Sequence, residues 1–198
     1  MSITGRTVCC PAPATLESAV TELDPCRQDI GQIIKFIFWR RGNSIASVAT
    51  ATLTATWTDL FEATDDTKAL QTPFVADVQI PLSEAREFGS GNEVRSGSTK
   101  RKGSNPVEVT AKIYNADQDT ITILKELVCE SLDVFLVNES FQIMYYEGSA
   151  GSVVGGFEVV NRSLWISDKK IGGLDDADYN SLTFNLKPNW SNKLKIIE

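Results

Sequence analysis

The side chains that could carry chemistry in this sequence are acids, thiols and hydroxyls, because it contains no histidine. Without an imidazole there is no Ser-His-Asp or Cys-His couple, and the commonest metal ligand and neutral-pH proton shuttle are missing. Paired carboxylates remain. Glu126 and Glu130 stand four apart on a predicted helix and share a face, while Asp65-Asp66 and Asp175-Asp176 are adjacent. Glycoside hydrolysis needs two carboxyls at a set separation across a sugar cleft, and spacing along one helix does not supply a cleft. A solvated helix face and acid-rich turns account for these residues more economically.

Metal and phosphate sites fare no better. Asp176-x-Asp178-x-Asn180 matches the opening of a calcium loop, but no Gly occupies the sixth position and the twelfth is Lys187. Asp and Asn also gather in turns for backbone reasons. The cysteines, Cys9, Cys10, Cys26 and Cys129, lack the C-x2-C spacing of a structural zinc site and read as reduced, packed thiols. Gly89-Ser90-Gly91 and Gly155-Gly156 are glycine-rich, yet neither belongs to a phosphate-cradling pattern between strand and helix. No catalytic residue, cofactor or metal is therefore assigned, and the chain reads as a non-enzyme.

Composition narrows the class. With 198 residues, 42% hydrophobic and 23% charged, the chain has the balance of one soluble globular domain with a substantial core. A net charge of −7 argues against a general nucleic-acid binder or an anchor on anionic membranes. The longest apolar run, Ile30 to Trp39, is broken by Gln32 and Lys35 and is too short to span a bilayer. The first residues lack the apolar core of a signal peptide. The expected setting is cytoplasmic synthesis, in which the sequons at Asn138, Asn161 and Asn189 carry little meaning.

The elements follow from periodicity. Residues 1–25, with Pro11, Pro13 and Pro25, read as an extended arm. Ile30 to Arg40 is dense in β-branched and aromatic residues and predicts a long central strand. Thr50 to Thr56 (TATLTAT) alternates weakly as a strand, with a short helix opening at Thr58 or Asp59. Phe74 to Ile80 predicts a strand, and Val107 to Tyr114 alternates strictly as a half-buried one. Gln118 to Ser131 is the clearest helix, placing Ile121, Leu124, Leu127 and Val128 on one side. Leu132 to Val137 and Phe141 to Tyr146 predict a hairpin around Asn138-Glu139-Ser140. Phe157 to Ile166 and Leu182 to Leu186 complete the strands, and the tail packs through Trp190, Leu194 and Ile196. About eight strands and one strong helix predict a mainly β fold: an antiparallel β-sandwich or barrel with one packed α-helix, a long inter-strand loop and extended termini, all in one domain over 1–198.

Residues 82–106 form that loop. They show no sustained hydrophobic pattern, and a structureless segment of this length inside a domain is uncommon and usually either functional or disordered. From Val94 to Pro106 the only charges are Arg95, Lys100, Arg101 and Lys102, a local +4, so the rest of a chain totalling −7 carries −11. A basic loop on an acidic body can order itself by docking on a neighbouring copy, with charge setting register. Head-to-tail contacts of that kind build rings or filaments. These four residues are the candidate assembly site; a solvated loop without a partner is the plainer alternative.

The segments LDPCRQDIGQIIKFIFWRRG, KIYNADQDTITILKELVCES and GGLDDADYNSLTFNLKPNW, with the overall layout, resemble virion proteins of tailed bacteriophages, most of all tail tube proteins. The resemblance implies stacked hexameric rings around a lumen through which DNA passes without specific binding. It also implies contacts with copies of the same chain and with other virion proteins, no membrane partner, and a virion location after assembly in the host cytoplasm. An acidic lumen would let phosphates slide past. Two other classes stay open: another virion component (tail terminator, head-tail connector or capsid decoration protein), and a monomeric β-sandwich binding module using Trp165 and Trp190 as stacking platforms.

Overall fold

The computed structural model describes residues 31–89, 100–114, 116–148, 153–172 and 177–197. The expected N-terminal arm, Arg95, Asp175 and Asp176 lie outside the described residues, as do all the cysteines except Cys129. In chain order the elements are β1 (Ile33–Arg40), α1 (Val48–Ala51), α2 (Thr54–Glu62), β2 (Ala69–Gln71), β3 (Val75–Gln79), β4 (Ala85–Phe88), β5 (Lys100–Ser104) and β6 (Val107–Tyr114). Then follow α3 (Gln118–Glu126) with a 3-10 turn (Leu127–Cys129), β7 (Leu132–Asn138), β8 (Ile143–Glu147), β9 (Val154–Gly155) and β10 (Phe157–Glu158). The last are β11 (Trp165–Ile166), β12 (Tyr179–Leu186), a second 3-10 turn (Trp190–Lys193) and β13 (Leu194–Ile197).

Every strand pair is antiparallel, and the strands form two packed sheets plus a separate ribbon. The first sheet runs β13-β8-β7-β1-β2, with β9 joined to β8 and β10 to β7. The second runs β11-β12-β6-β3, and β4 pairs only with β5. The fold is mainly β and sandwich-like, as the alternation of Val107 to Tyr114 predicts.

The inner faces of the two sheets make the main core. Phe36 and Phe38 of β1 meet the edge of Phe184 from β12, at centroid separations of 5.2 and 5.5 Å. Val107, Val109, Ala111 and Ile113 line the facing side of β6, and α3 adds Ile121 and Leu124. The helix forms where the apolar stripe requires it, although its N-cap, Asp117, makes no capping side-chain hydrogen bond.

The other face of the first sheet is buried too. Ile37, Trp39, Phe135 and Val137 point away from the main core and are covered by Ala51 and Trp57 of α1 and α2. This explains why β1 and β7 read as unbroken apolar runs rather than alternating ones: both of their faces are covered. All seven residues of β7 are buried.

The helical cover corrects the sequence reading of Thr50 to Thr56 as a strand. Ser47 caps α1 by accepting from Thr50 N at 3.1 Å, and the second helix starts at Thr54 rather than Thr58. Threonine's β preference is weak beside tertiary packing. Trp57 sets an edge against Phe135 at 5.3 Å and donates Nε1–H to Ala51 O at 2.8 Å, and only a helix aims it there. The domain therefore has helices on two sides, and the short helix expected at Thr58 or Asp59 is present but begins earlier and covers the first sheet.

The strand expected over 157–166 is interrupted at Asn161-Arg162-Ser163, where Arg162 adopts a φ of 60° and only β10 and β11 remain extended. The tail packs through Trp190, Leu194 and Ile196 as expected, and in addition β13 pairs as an outer strand beside β8. Residues 82–106 are not structureless throughout, since β4 and β5 lie within them.

Candidate assembly surface

The β4–β5 ribbon is built from charge rather than from apolar alternation. All four residues of β4 are exposed, and so are four of the five in β5. Phe88 faces Lys100 and Glu87 faces Arg101 across the ladder, and a register shift follows between Glu87 and Arg86. Gly103, opposite Arg86, has a φ of 129°, a conformation that a side chain would strain. The base is closed by Asn105 N donating to Glu84 O at 2.9 Å. Lys102 Nζ sits 4.8 Å from the Phe88 ring centroid, a cation–π contact that leaves the ring 54% exposed.

Of the four candidate assembly residues, Lys100, Arg101 and Lys102 are thus consecutive on one exposed strand. With Arg86 and Glu87 the described ribbon carries +3. A two-stranded ribbon with no apolar face on a core has little stability alone, and its unpaired edges are templates for another chain. Phe88 and Arg86 belong to this surface and escaped sequence reading. The available signal was the alternation of Arg86 and Phe88 just before the basic run.

Elsewhere Asp65, Asp66, Glu130 and Asp178 are tied into structural contacts. Asp65 accepts from the Thr67 hydroxyl and from Thr67 N, the latter at 2.9 Å, and these hydrogen bonds hold its carboxyl below the usual range. Asp66 accepts from Arg40 Nη1 at 2.7 Å, and Glu130 takes the other side of the same guanidinium. Glu130 is therefore neutralised by an arginine, while Glu126, lining a shared groove with it, makes no ion pair among the described residues. Asp178 Oδ1 accepts from Gly172 N at 2.8 Å, a turn role. Among the described residues no three Cys, Asp or Glu side chains converge as a metal site, and no helix is long and apolar enough to cross a membrane.

A second charged arrangement was not anticipated. A groove of about 690 Å³ beside β7 and β10 is walled by Arg41, Asp133, Glu158, Lys187, Tyr146 and Trp190, among others. Arg41 donates to Asp133 Oδ1 at 3.3 Å, to Asn161 Oδ1 at 2.8 Å and to the carbonyls of Leu132 and Val159. Lys187 pairs with Glu158. Burial pushes the Asp133 carboxyl up, and the Arg41 hydrogen bond opposes this. Trp190 is held edge-on to Phe157 at 5.2 Å, so it is a wall of this groove rather than an open platform. Trp165 differs: it is 63% exposed on the outer face of the second sheet, paired in register with Thr183. Tyr114 and Tyr179 stack edge-on at 5.8 Å on the same sheet, beside the Lys112–Asp77 ion pair.

No family model and no curated protein matches the chain. Among solved structures it is similar to a chain in the virion of a native gene transfer agent particle, at 14% identity and a TM-score of 0.34, over 63% of this chain and 85% of that one. It is similar at the same identity and TM-score to a chain in the tail of an empty particle of that agent refined with C6 symmetry, over 63% and 82%. A third similarity is to a chain in the six-fold symmetrised baseplate of the anti-feeding prophage, at 9% identity and a TM-score of 0.38, over 86% and 95%. None reaches a TM-score of 0.5, and none fixes the role of this chain.

Proposed function

We propose that this protein is a non-enzymatic structural subunit that assembles with copies of itself through the β4–β5 ribbon. The observation that carries the reading is the ribbon itself: an exposed, strongly basic two-stranded element projecting from an acidic chain, with no core of its own. Such an element gains order and buried area when a neighbour covers it, and opposite charge sets how the two meet. The resemblance of the three sequence segments to tailed-phage virion proteins extends the proposal to a virion subunit. Its finer form is a tail tube subunit: stacked rings, other virion proteins as neighbours, and a lumen that passes DNA without binding it.

Trp165 favours one competing reading, a monomeric binding module with an aromatic platform on an open sheet face. The two readings separate on one measurement. The purified chain at high concentration should form rings or tubes visible by negative-stain microscopy, and deletion of residues 94–104 should abolish them while circular dichroism shows the sandwich intact. A chain that stays monomeric at every concentration tried would overturn the assembly reading, and tubes that form unchanged without the ribbon would remove the ribbon from it.

A further inference from the structure

If the ribbon docks on another copy, a surface on that copy must receive it. Such a surface needs an apolar seat for Phe88 and carboxylates for the β5 cations. The grooves of the described structure differ sharply on these two counts. The groove beside β7 and β10 has three cations, Arg41, Lys187 and Lys193, against Asp133 and Glu158, so its charged lining is net positive. The shallow groove between α2 and the first sheet, lined by Trp57, Phe61 and Phe141, has no charged lining residue.

A third groove fits. It holds about 220 Å³ between the end of β1, the loop after α2 and the outer side of α3. Its apolar lining includes Leu70, Ile123 and Leu127, and Ile123 is 47% exposed although it sits on a core-packing helix. Asp65, Glu126 and Glu130 line it as well, with Asp66 beside them on Arg40. Against these four carboxylates stand two cations, Arg40 and Lys68. Arg40 is already engaged by Glu130 and Asp66, whereas Glu126 makes no ion pair among the described residues. The hydrogen bond and charge of Arg40 hold Glu130 ionised into acid, and Thr67 does the same for Asp65, so the rim keeps its charge.

We propose that this groove receives the β4–β5 ribbon of a second copy, seating Phe88 against Ile123 and Leu127 and setting Lys100 and Lys102 against Glu126 and its neighbouring carboxylates. The inference rests on the assembly reading above and names the partner face that reading leaves open. An amphipathic arm, one exposed ring flanked by cations, meets its chemical complement: an apolar floor with an acidic rim. The ring fixes position by burial, while the charges fix orientation.

Two experiments test it. Carbodiimide joins a carboxylate to a lysine amine only when they touch, so native protein mixed from isotopically light and heavy copies is treated and digested. Peptides that join Glu126 of one copy to Lys100 or Lys102 of the other are expected; lysines of the ribbon linked solely to carboxylates elsewhere would overturn the proposal. In the second, the ribbon variant Lys100→Glu with Lys102→Glu is compared with the groove variant Ile123→Lys with Glu126→Lys. All four positions are exposed or partly exposed, and thermal melts check that each variant folds. Each should raise the concentration needed for assembly by about tenfold or more, and mixing the two variants should restore part of it. If the ribbon variant fails while the groove variant assembles as the native chain does, the docking face is elsewhere and the assembly reading survives. If the ribbon variant also assembles normally, the ribbon is not the docking element, and both this proposal and the ribbon's part in the assembly reading fail.

Discussion

Arg40 and Glu130 face each other through two hydrogen bonds, Nε to Oε2 at 2.6 Å and Nη2 to Oε1 at 2.9 Å. The pair ties the last residue of the central strand β1 to the segment that leads from α3 into β7. It also closes one end of the acid-rimmed groove, with Asp66 on the remaining face of the guanidinium. One arginine thus holds three separate parts of the chain in register.

This pair sets a pH dependence. The Arg40 hydrogen bond, and then its charge, hold the Glu130 carboxyl below its ordinary range. A carboxyl lowered on folding contributes stability above its unfolded pKa of about 4.3 and loses that contribution as pH falls through the folded value. Glu130→Gln should therefore lower the urea midpoint slightly at pH 7 and leave it unchanged near pH 3. The difference stays small because both side chains are partly exposed and screened. Equal midpoint losses at the two pH values would show that the pair contributes through geometry and not through charge.

Arg41, one residue on, makes the opposite case. Burial raises the Asp133 carboxyl while Arg41 pulls it down, so the native state takes up its proton more readily than the unfolded chain. Stability therefore falls as pH rises from the ordinary aspartate value of about 3.9 through the raised one. Arg41→Ala removes the main opposing cation and its hydrogen bonds to the Leu132 and Val159 carbonyls, of which Leu132 O still accepts from Val159 N. The expected loss is about 3 kcal/mol at pH 7 and less at pH 4, where protonation relieves the unpaired carboxylate. Denaturant titrations at the two pH values measure it, and a loss that does not grow with pH would show that Asp133 finds water instead.

The legible parts of this fold are those where burial leaves a pattern in the sequence. Val107 to Tyr114 alternates because one face of β6 is covered, and its structure repeats that alternation residue by residue. The runs around Phe36 and Phe135 are continuous because two cores share them, which periodicity alone cannot distinguish from a buried helix segment. TATLTAT misled because threonine and alanine carry little information about burial. The spacing of Trp57 and Phe61, four apart with tilted rings 6.3 Å between centroids, was the helical signal just beyond it. The ribbon was invisible as strands because nothing apolar is buried there, yet its charge was plain. The sequence thus exposes the chemistry of the candidate surface better than its shape. The groove in turn is assembled from Arg40, Leu70 and Ile123, residues far apart in the chain that only the fold brings together.

Trp57 tests whether the helical cover is integral to the fold. Its ring fills the second core against Phe135, and its indole N–H is matched to the Ala51 carbonyl. Trp57→Ala should cost about 3–5 kcal/mol through the cavity it leaves. Trp57→Phe keeps much of the ring and gives up the hydrogen bond, for a smaller loss. Urea unfolding followed by near-ultraviolet circular dichroism distinguishes the two. A loss below about 1 kcal/mol for the alanine variant would mean that α1 and α2 peel away at little cost.

The β9–β10 corner offers a sharper contrast between neighbours. The edge of β7 away from β1 is divided: β8 pairs with Leu136 and Val137, while β10 pairs with Asp133 and Val134. Gly156 lies at the junction, where a Cβ would stand 2.8 Å from Asp133 Cβ and 2.9 Å from Val134 N. The second of these is backbone in the middle of a sheet and cannot yield cheaply. Gly155, one residue before, would bring its Cβ no nearer than 3.8 Å to Tyr146 O. Gly156→Ala should destabilise the protein by about 1–3 kcal/mol through overpacking, whereas Gly155→Ala should stay within about 0.5 kcal/mol of the parent. Thermal melts of the two variants measure both. Equal effects would mean that β10 can lift away from β7, and the walls of the Arg41–Asp133 groove would then be adjustable rather than fixed.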